Sequence, residues 1–477
     1  MLAPSPIAAA SAYHRHRPEQ TALYAIVAEH YPRFVQAIEQ SGGYLPKFVR
    51  QEFEDYLKCG LLEHGFLRVK CNGCKHEHLV AFSCKRRGFC PSCGARRMVE
   101  SAAHLVDHVF PAAPVRQWVL TFPFPLRFLL AAQPEALTAV LAVVQRAIST
   151  FVIRHAGLAL SSGARSGAVT LIQRFGSALN LNPHLHMLFL DGAYTFRGER
   201  PIFHRARRPT DDELNRLFDS LSHRIVRLLE RRGLLVAESH HPQLDFEPGS
   251  SLNHLHAASI AYCIAIGPHA GRKALTLYSV PPLDEAANSP LLAKVAGFSL
   301  HAATVCEAWH RSRLERLCHY ITRPPIAIKR LSVDRQSRVV YRYKQPFRDG
   351  STHVVLEPLD FMARLAALVP RPKLNLTRFH GVFAPNFKHR NRIVPRRPGH
   401  IDADQPPGPM TWAQRLRRVF AIDIETCPKC GGKLRVIACI EDPSPIAKIL
   451  AQIRRRAALI DSTPRASPDS LPLLNLI

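Results

Sequence analysis

Two pairs of cysteines in a CxxC arrangement constrain the fold of this chain more than any other feature. Cys71 and Cys74 open the run CNGCKHEHLVAFSCKRRGFCPSC, and Cys90 and Cys93 close it. Fifteen residues separate Cys74 from Cys90. Each CxxC pair presents two thiolates from one tight turn, and two such turns can complete the tetrahedron that zinc prefers. We therefore predict that these four cysteines bind a structural Zn²⁺ ion.

The neighbourhood of this motif contains other candidate ligands, so a second ion or a replaced ligand stays open. These candidates are Cys59, His64, His76, His78 and Cys84. Clustered cysteines in a long basic chain without a secretion signal indicate zinc rather than disulfides.

A second CxxC pair lies near the C-terminus. Cys427 and Cys430, in CPKCGG, form half of a possible second zinc site, and Cys439 is a candidate third ligand. The three solitary cysteines in apolar or helical surroundings are expected to be buried core thiols; they are Cys263, Cys306 and Cys318.

The charge balance predicts a polyanionic partner. Among 477 residues, Lys and Arg outnumber Asp and Glu by 64 to 37, which gives a net charge of +27. We expect no membrane-spanning segment and no signal peptide, so nucleic acid is the favoured partner. The prediction is a cytoplasmic, nucleoid-associated protein that does not contact a membrane.

Basic residues woven through the first cysteine cluster support this prediction. Around a loop fixed by a metal ion, such side chains suit contacts with DNA phosphates. We predict DNA contacts for Lys85, Arg86, Arg87, Arg96 and Arg97.

The stretch NPHLHMLFLDGAY, which begins at Asn182, reads as a buried strand that carries two histidines. Alternate residues of a strand point to opposite faces, so His184 and His186 share one face and lie about 7 Å apart. Two such imidazoles can converge on one metal ion or can be ordinary core histidines. A second HLH triplet, His254 to His256, lacks a clear strand context.

A neighbouring strand offers a third ligand. GAVTLIQRFG and HLHMLFLDG are expected to form an antiparallel hairpin about SALNLNP, and a centred turn places Gln173 opposite His184. A glutamine oxygen is a usable hard ligand. Gln173, His184 and His186 could thus make a three-ligand site for Mg²⁺ or Mn²⁺ with open positions for a phosphate. On the residues alone, ordinary core histidines are the favoured alternative.

The rest of the sequence predicts helices and strands on both sides of this hairpin. PEALTAVLAVVQRAISTFVIRHA reads as a long helix, and Thr210 or Asp211 is a natural N-cap for the next one. Residues 289–320 read as one long helical stretch that ends at ITRPP. SRVVYRYKQP and THVVLEP read as a hairpin, and residues 378–405 as a basic arm that presents Phe379, Phe383 and Phe387 to single-stranded DNA.

Taken together, four features resemble one family. They are the N-terminal helix, the block SCKRRGFCPSCGARR, the strand NPHLHMLFLDGAY and the segment RLCHYITRPP. In this order they resemble the rolling-circle (HUH) transposases of the insertion sequence ninety-one family, over about residues 15–440. The resemblance implies that His184 and His186 bind a divalent metal and that Tyr320 attacks a DNA phosphate, becoming joined to the 5′ end of the cut strand.

Two departures from the family pattern matter for the chemistry. Some relatives have two tyrosines four positions apart, whereas Arg316 occupies the earlier position here. The chain therefore resembles a single-tyrosine variant. Gln173 lies eleven residues before His184, where a histidine is expected in relatives.

The implied nucleophile also makes chemical sense. A phenol is a poor nucleophile at its ordinary pKa near 10, but a metal on the phosphate and nearby cations can activate it. Arg316 and Arg323, close to Tyr320, are predicted to bind DNA and to supply that charge. Tyr341 and Tyr343 are competing tyrosines on a predicted strand.

The expected fold class is α+β, with four regions. They are an N-terminal helical segment (1–55), a zinc-binding domain (56–100), an HUH domain with an antiparallel sheet flanked by helices (101–360), and a basic C-terminal region with a small zinc-ribbon-like module (361–477). The expected partners are single-stranded element ends and target DNA. Two other functions stay open: a zinc-dependent DNA-binding regulator without catalysis, and a rolling-circle replication initiator or relaxase.

Overall fold

The chain divides into two compact units. The computed structural model describes residues 11–12, 17–235, 250–280, 290–347, 349–395, 422–423, 426–427 and 429–461. The first unit comprises Met1–Glu19, Lys58–Cys84 and Ala421–Ile477, and the second comprises Gln20–Leu57 and Lys85–Phe420. The C-terminal CxxC segment thus shares a unit with the hairpin that carries Cys71, rather than forming a separate module.

The first unit is built on a three-stranded antiparallel sheet. Its order is β18 (Leu434–Ile440), β2 (Phe66–Cys71) and β3 (Glu77–Ala81). A helix at Pro443–Asp461 follows β18, and its Ile446 and Leu450 pack on Phe66. A short parallel pair joins β1 (Ser11–Ala12) to β17 (Ile422–Asp423).

The second unit contains the main antiparallel sheet. The strand order is β10-β11-β4-β6-β5-β16, and β12 pairs with β4. The strands are β4 (Val115–Thr121), β5 (Gly167–Phe175), β6 (Leu181–Leu190), β10 (Leu292–Val295), β11 (Phe298–His301), β12 (Val305–Cys306) and β16 (Thr377–Gly381). The α+β fold class predicted from sequence is confirmed.

Helices cover both faces of this sheet, which is why β5 and β6 are apolar almost throughout. On one face lie α4 (Phe124–Ala132), α5 (Pro134–His155) and α6 (Asp211–Arg231), packed against Trp118 and Met187.

On the other face lie α3 (Pro91–His108) and α8 (Arg311–Thr322), packed against Val169 and Leu188. His184 and His186 share the face of Leu188, because residues two apart on a strand point the same way. They therefore lie on the side covered by α8.

Helix α5 is long and apolar enough to cross a membrane by length and composition, although the sequence analysis expected no such segment. Its Val144 and Ile148 belong to the core between the helices and the sheet.

The other elements complete the second unit. A four-stranded sheet has the order β13 (Leu331–Val333), β14 (Val339–Arg342), β15 (Ser351–Leu356) and β9 (Leu275–Tyr278). A separate hairpin pairs β7 (Gly192–Arg197) with β8 (Arg200–Arg205). The helices are α1 (Ala22–Gln40), α2 (Lys47–Lys58), α7 (Leu252–Ile260), α9 (Pro358–Leu368) and α10 (Arg390–Ile393).

Several local predictions are confirmed. The hydroxyl of Thr210 caps α6 by accepting the N–H of Glu213, and the Glu213 carboxylate accepts the N–H of Thr210. The predicted β14–β15 hairpin is present, with Val340 opposite Val355.

The predicted long helix over residues 289–320 is wrong. Within the described part of this range, 290–320, only α8 is helical, and β10, β11 and β12 precede it. Ala296 and Gly297 adopt φ values of 45° and 80° and turn the chain between β10 and β11. Glycine tolerates such a turn, and pairing of β11 with β4 outweighs the helical preference of this segment.

The predicted basic arm is also wrong where the structure describes it. Residues Thr377–Gly381 form β16 at the edge of the main sheet, paired with β5. Phe383 is fully buried in the core, and Phe379 and Phe387 pack against it. The end of the predicted arm, residues 396–405, lies outside the described residues.

Candidate active site and metal centres

The two histidines of β6 form a close pair on one face of the sheet. The ring centroids of His184 and His186 lie 4.9 Å apart. β5 and β6 form the predicted antiparallel hairpin, and Gln173 is directly opposite His184. The register predicted from the turn SALNLNP is therefore confirmed. The second HLH triplet differs, because it lies on α7, where His256 is fully buried.

Each histidine ring has one nitrogen engaged by the protein. His184 Nδ1 lies 2.8 Å from the carbonyl oxygen of Asn182 and donates its proton to it. His186 Nδ1 lies 2.9 Å from the side-chain amide of Gln117, which is buried on β4. Gln117 is not among the site residues predicted from the sequence. The contact at His184 leaves its Nε2 atom as the nitrogen that can bind a ligand. His186 Nε2 is available when the Gln117 amide is turned so that its oxygen accepts the Nδ1 proton.

Both histidines are held neutral. Burial lowers the pKa of His184 to about 4, and the charges of Arg323 and Arg127 act in the same direction. Burial, then His184 and Arg323, lowers the pKa of His186 well below its ordinary value. Neutral imidazole is the form that binds metal ions, so the pair is ready to ligate near neutral pH.

Gln173 supplies an oxygen that has no partner. Its side chain is 5% exposed, and its Nε2 atom donates to the carbonyl oxygen of Ile321 at 3.0 Å. Its Oε1 atom is buried and accepts no hydrogen bond within the described residues. A buried acceptor without a donor is unfavourable unless a ligand satisfies it. The donor set of two neutral imidazoles and one amide oxygen therefore fits a divalent cation.

Tyr320 lies near this pair on the last turn of α8. Its side chain is 40% exposed, and its ring centroid is 6.4 Å from that of His186. The guanidinium of Arg323 and the ammonium of Lys344 each lie 4.3 Å from the centroid of the Tyr320 ring. Both distances are typical of cation–π contacts, so two positive charges lie beside this side chain.

The sequence predicted Arg323 as a cation beside Tyr320, but it did not predict Lys344 there. Arg323 also donates to the carbonyl oxygen of Tyr320 at 2.7 Å, which fixes its position at the helix end. Lys344 follows β14, a strand that lies beyond α8 in the chain. No local spacing links Lys344 to Tyr320, so only the tertiary structure shows this contact.

The two competing tyrosines are core residues. Tyr341 is 1% exposed, and its hydroxyl oxygen accepts the N–H of Ala327. Tyr343 is 5% exposed, and burial raises its pKa to about 12. Neither hydroxyl is presented to a polymer in the way that the exposed side chain of Tyr320 is.

The predicted DNA-binding residues differ in the groups that their side chains contact in the structure. Arg87 donates to the Leu374 carbonyl at 2.7 Å, and Arg97 donates to the Lys85 carbonyl at 3.1 Å. Two others form salt bridges, Arg86 with Asp55 and Arg96 with Glu100.

Lys85 and Arg316 are exposed. Arg316 lies one helical turn before Tyr320 on α8 and extends the positive charge next to that side chain. DNA contacts by all seven predicted basic residues stay a prediction.

Four cysteines of the first unit form a compact cluster. The sulfur atoms of Cys71, Cys74, Cys427 and Cys430 all lie within 4.8 Å of one another. The sulfurs of Cys71 and Cys430 are 3.5 Å apart, as are those of Cys74 and Cys427. A tetrahedron with Zn–S bonds of about 2.3 Å places sulfurs about 3.8 Å apart, so the cluster fits zinc.

This cluster corrects the predicted ligand set. Cys71 and Cys74 complete a tetrahedron with Cys427 and Cys430, so Cys90 and Cys93 cannot be their partners at one ion. The reason is a long-range strand pairing that spacing cannot show. β18 lies antiparallel to β2, and Leu434 is opposite Cys71.

The other cysteine predictions also change. Cys439 is exposed and contacts the carboxylate of Glu441, so it is not the predicted third ligand of the Cys427 pair. Cys90 and Cys93 are buried at the start of α3 in the second unit. In the first unit, the N–H of Cys84 donates to the sulfur of Cys59 at 3.3 Å.

Comparison with protein families identifies two regions. Residues 26–122 match the model "Transposase zinc-binding domain" of the insertion sequence ninety-one type, and residues 167–391 match the model "Putative transposase". The second match contains Gln173, His184, His186 and Tyr320. Among curated proteins and among solved structures, no similar protein was found.

Proposed function

Because the chain belongs to the insertion sequence ninety-one family of transposases, we propose that it cuts and rejoins single-stranded DNA through a covalent link between Tyr320 and a 5′ phosphate. A transposase of this family acts in DNA transposition, and the net charge of +27 suits a DNA substrate. One observation carries the proposal. The ring of the exposed Tyr320 lies 6.4 Å from that of His186, which pairs with His184, and two cations lie 4.3 Å from the Tyr320 ring.

His184, His186 and Gln173 are the residues that would hold the catalytic ion, Mg²⁺ or Mn²⁺. When bound, such an ion supplies positive charge that polarises a phosphate. The protein keeps the imidazoles neutral through burial, and no donor among the described residues meets the Gln173 oxygen. Gln117 and the carbonyl of Asn182 fix the orientation of the rings.

In the proposed step, the phenol oxygen of Tyr320 attacks the scissile phosphorus. A new bond between that oxygen and phosphorus forms, and the bond from phosphorus to the 3′ oxygen of the preceding nucleotide breaks. The phenol gives up one proton, and the leaving 3′ oxygen gains one to become a hydroxyl. Arg323 and Lys344 stabilise the phenolate during the attack. The reverse attack by a 3′ hydroxyl rejoins DNA without ATP, because the phosphotyrosine bond conserves the energy of the cut linkage.

The proposed transposition is of the rolling-circle type with one active tyrosine. Arg316 occupies the exposed position one turn before Tyr320. Each chain can therefore hold one covalent DNA end at a time, and a second strand transfer must use a free 3′ hydroxyl or a second copy of the chain.

Structural zinc in the first unit is part of the proposal. Cys71, Cys74, Cys427 and Cys430 are the residues that would hold it, because their sulfurs already approach the tetrahedral spacing. Zinc would hold the segment with Cys427 and Cys430 against the β2–β3 hairpin.

A covalent-trapping assay on end-labelled single-stranded DNA from the element terminus tests the proposal. Wild type is compared with Tyr320→Phe and with the double variant His184→Ala, His186→Ala, each with Mg²⁺, Mn²⁺ or EDTA. We expect a labelled protein band that requires the metal and disappears in both variants. Tyr341→Phe is the matched control, since it removes a hydroxyl from the core, and its band should persist.

Two results would count against the proposal. A band that survives Tyr320→Phe would move the nucleophile to another side chain. Wild type that binds the DNA but forms no band with any metal would favour a non-catalytic DNA-binding regulator.

A further inference from the structure

A cavity of about 310 Å³ in the second unit lies beside the C-terminal end of α8, immediately after Tyr320. We infer that this cavity binds one nucleotide of the single strand next to the scissile phosphate, holding its phosphate with arginines and its base against an apolar wall. This inference rests on the proposed function, because it assumes that a single strand reaches Tyr320.

Four segments form the cavity. They are the start of α3 with the loop before it, the end of β5, residues 321–325 after Tyr320, and the stretch 368–377 from the end of α9 to the start of β16. Gly94 on α3 allows these segments to meet closely, because a Cβ atom there would lie 2.6 Å from the Cβ atom of Pro324. The volume reaches the lower end of ligand pockets, about 300 Å³.

The walls concentrate positive charge. Five arginines line the cavity, and none of its lining residues is acidic; the arginines are Arg86, Arg87, Arg97, Arg174 and Arg323. Within the described part of the chain, only Arg86 of these five forms a salt bridge, with Asp55. The Glu52 carboxylate, which accepts the N–H of Gly88 behind the wall, compensates part of this charge, and a bound anion would compensate more of it.

Arg174 adds charge to this wall without facing the cavity directly. Its side chain is 5% exposed, and its guanidinium lies 3.5 Å from the Ala131 carbonyl oxygen and 3.4 Å from the Ala367 carbonyl oxygen. Burial lowers its pKa to about 10, so it still carries a charge near neutral pH. This charge strengthens the attraction of the wall for a phosphate.

The rest of the wall suits a base. Phe175, Pro324 and Leu376 line the cavity together with other apolar side chains. Bases of a single strand stack on aromatic and guanidinium planes with little dependence on sequence. The cavity therefore has a basic wall that suits the phosphate of a nucleotide and an apolar wall that suits its base.

Arg323 connects the cavity with the nucleophile. Its guanidinium carbon lies 4.3 Å from the centroid of the Tyr320 ring and 5.4 Å from that of Phe175. A strand whose phosphate meets Tyr320 can thus place a neighbouring nucleotide in the cavity with Arg323 between them. The cavity would then position the scissile phosphate rather than take part in the chemistry.

The test compares binding of oligothymidylate with binding of an abasic oligomer of the same length. Fluorescence anisotropy is measured on the zinc-loaded full chain in EDTA-free buffer without Mg²⁺ or Mn²⁺, so that no cleavage occurs. Stacking of one base contributes about 1–3 kcal/mol, so removal of the bases should weaken wild-type binding by about 5- to 150-fold. In Ser101→Phe, the added ring fills the cavity from α3. The two oligomers should therefore differ much less in affinity for this variant than for wild type.

The arginines are tested through the dependence on salt. Replacing one phosphate contact should reduce the slope of log K against log[NaCl] by about 0.7 for a single strand. Arg97→Gln and Arg323→Gln should show this change. Arg224→Gln, which removes an exposed arginine from α6 on the opposite face of the sheet, is the matched control and should not.

The results separate this inference from the proposed function. If wild type and Ser101→Phe lose the same factor with the abasic oligomer, and the arginine variants keep the wild-type slope, the cavity does not bind a nucleotide. A Tyr320 adduct can still form in that case. If Ser101→Phe reduces the difference between the two oligomers and the arginine variants lower the salt slope, the cavity binds a nucleotide. If no adduct forms with any metal in that case, the proposed covalent link to Tyr320 is wrong. If Ser101→Phe loses zinc or unfolds at a lower temperature than wild type, the salt dependence of binding by the arginine variants decides whether the cavity binds a nucleotide.

Discussion

The side-chain amide of Gln117 lies 2.9 Å from Nδ1 of His186, so β4 fixes the ring that β6 presents. A half-turn of the amide exchanges its oxygen and nitrogen. With the oxygen towards the ring, Gln117 accepts the Nδ1 proton and leaves the Nε2 lone pair for a metal ion. Gln117 is therefore a positioning residue for the candidate metal site, although it contacts no ion itself.

Replacing Gln117 should weaken metal binding without unfolding the sheet. Loss of such an outer partner typically reduces metal affinity by about 10- to 100-fold, so we expect Gln117→Leu to raise the Mn²⁺ dissociation constant by that factor. Electron paramagnetic resonance titration measures it. Gln145→Leu, which replaces another buried glutamine on α5, is the control. Equal losses in both variants would show that the effect is structural.

Gln173 should act through its unpartnered oxygen. Gln173→Leu and Gln173→Glu both remove the N–H bond to Ile321, but only the glutamate keeps an oxygen at that position. We expect the leucine variant to lose Mn²⁺ affinity by more than about 100-fold, the upper loss expected for an outer partner. The glutamate variant should keep its affinity, because carboxylate is a hard ligand. If the leucine variant binds Mn²⁺ as wild type does, Gln173 is not a ligand.

Metal affinity should depend little on pH above about pH 5. Protonation removes the lone pair that binds the ion, so competition begins only as the pH falls towards the histidine pKa. Burial lowers the pKa of His184 to about 4, and that of His186 is also depressed. Histidines with an ordinary pKa near 6.5 would already lose affinity at pH 6. Mn²⁺ titrations at several pH values test this, and a clear loss between pH 7 and pH 6 would contradict it.

Local features of the active site could be predicted from the sequence. The β5–β6 register follows from alternation and from a centred turn, so Gln173 was correctly placed opposite His184. Arg323 follows Tyr320 by three residues and lies beside it. In both cases, short-range geometry alone brings the side chains together.

Long-range pairings could not be predicted in the same way. Cys71 meets Cys430 because β18 pairs with β2, and Lys344 meets Tyr320 because the β14–β15 hairpin returns to α8. The regular spacing of Cys71, Cys74, Cys90 and Cys93 favoured a single contiguous site, but spacing does not determine which turns meet. The segment before α8 also formed strands, since pairing with β4 outweighed its helical preference.

The cysteine cluster of the first unit makes a direct prediction about zinc content. Cys427→Ser removes one ligand of the cluster and should lower bound zinc by about one ion per chain. Cys439→Ser changes a nearby exposed cysteine outside the cluster and should leave zinc unchanged. Mass spectrometry under native conditions counts the ions. Equal zinc content in wild type and Cys427→Ser would reject this ligand set.

The close contact between Gly94 and Pro324 predicts a defect in catalysis that a second substitution repairs. A Cβ atom at Gly94 would lie 2.6 Å from the Cβ atom of Pro324, a distance that the loop after Tyr320 must relieve by moving. A displacement of about 1 Å near the reacting groups can cost about 100-fold in rate. We therefore expect Gly94→Ala to slow adduct formation by about 10- to 100-fold while zinc content stays unchanged. Adding Pro324→Gly removes the opposing atoms and should restore most of the rate. If the double variant is as slow as Gly94→Ala, the contact with Pro324 is not the cause.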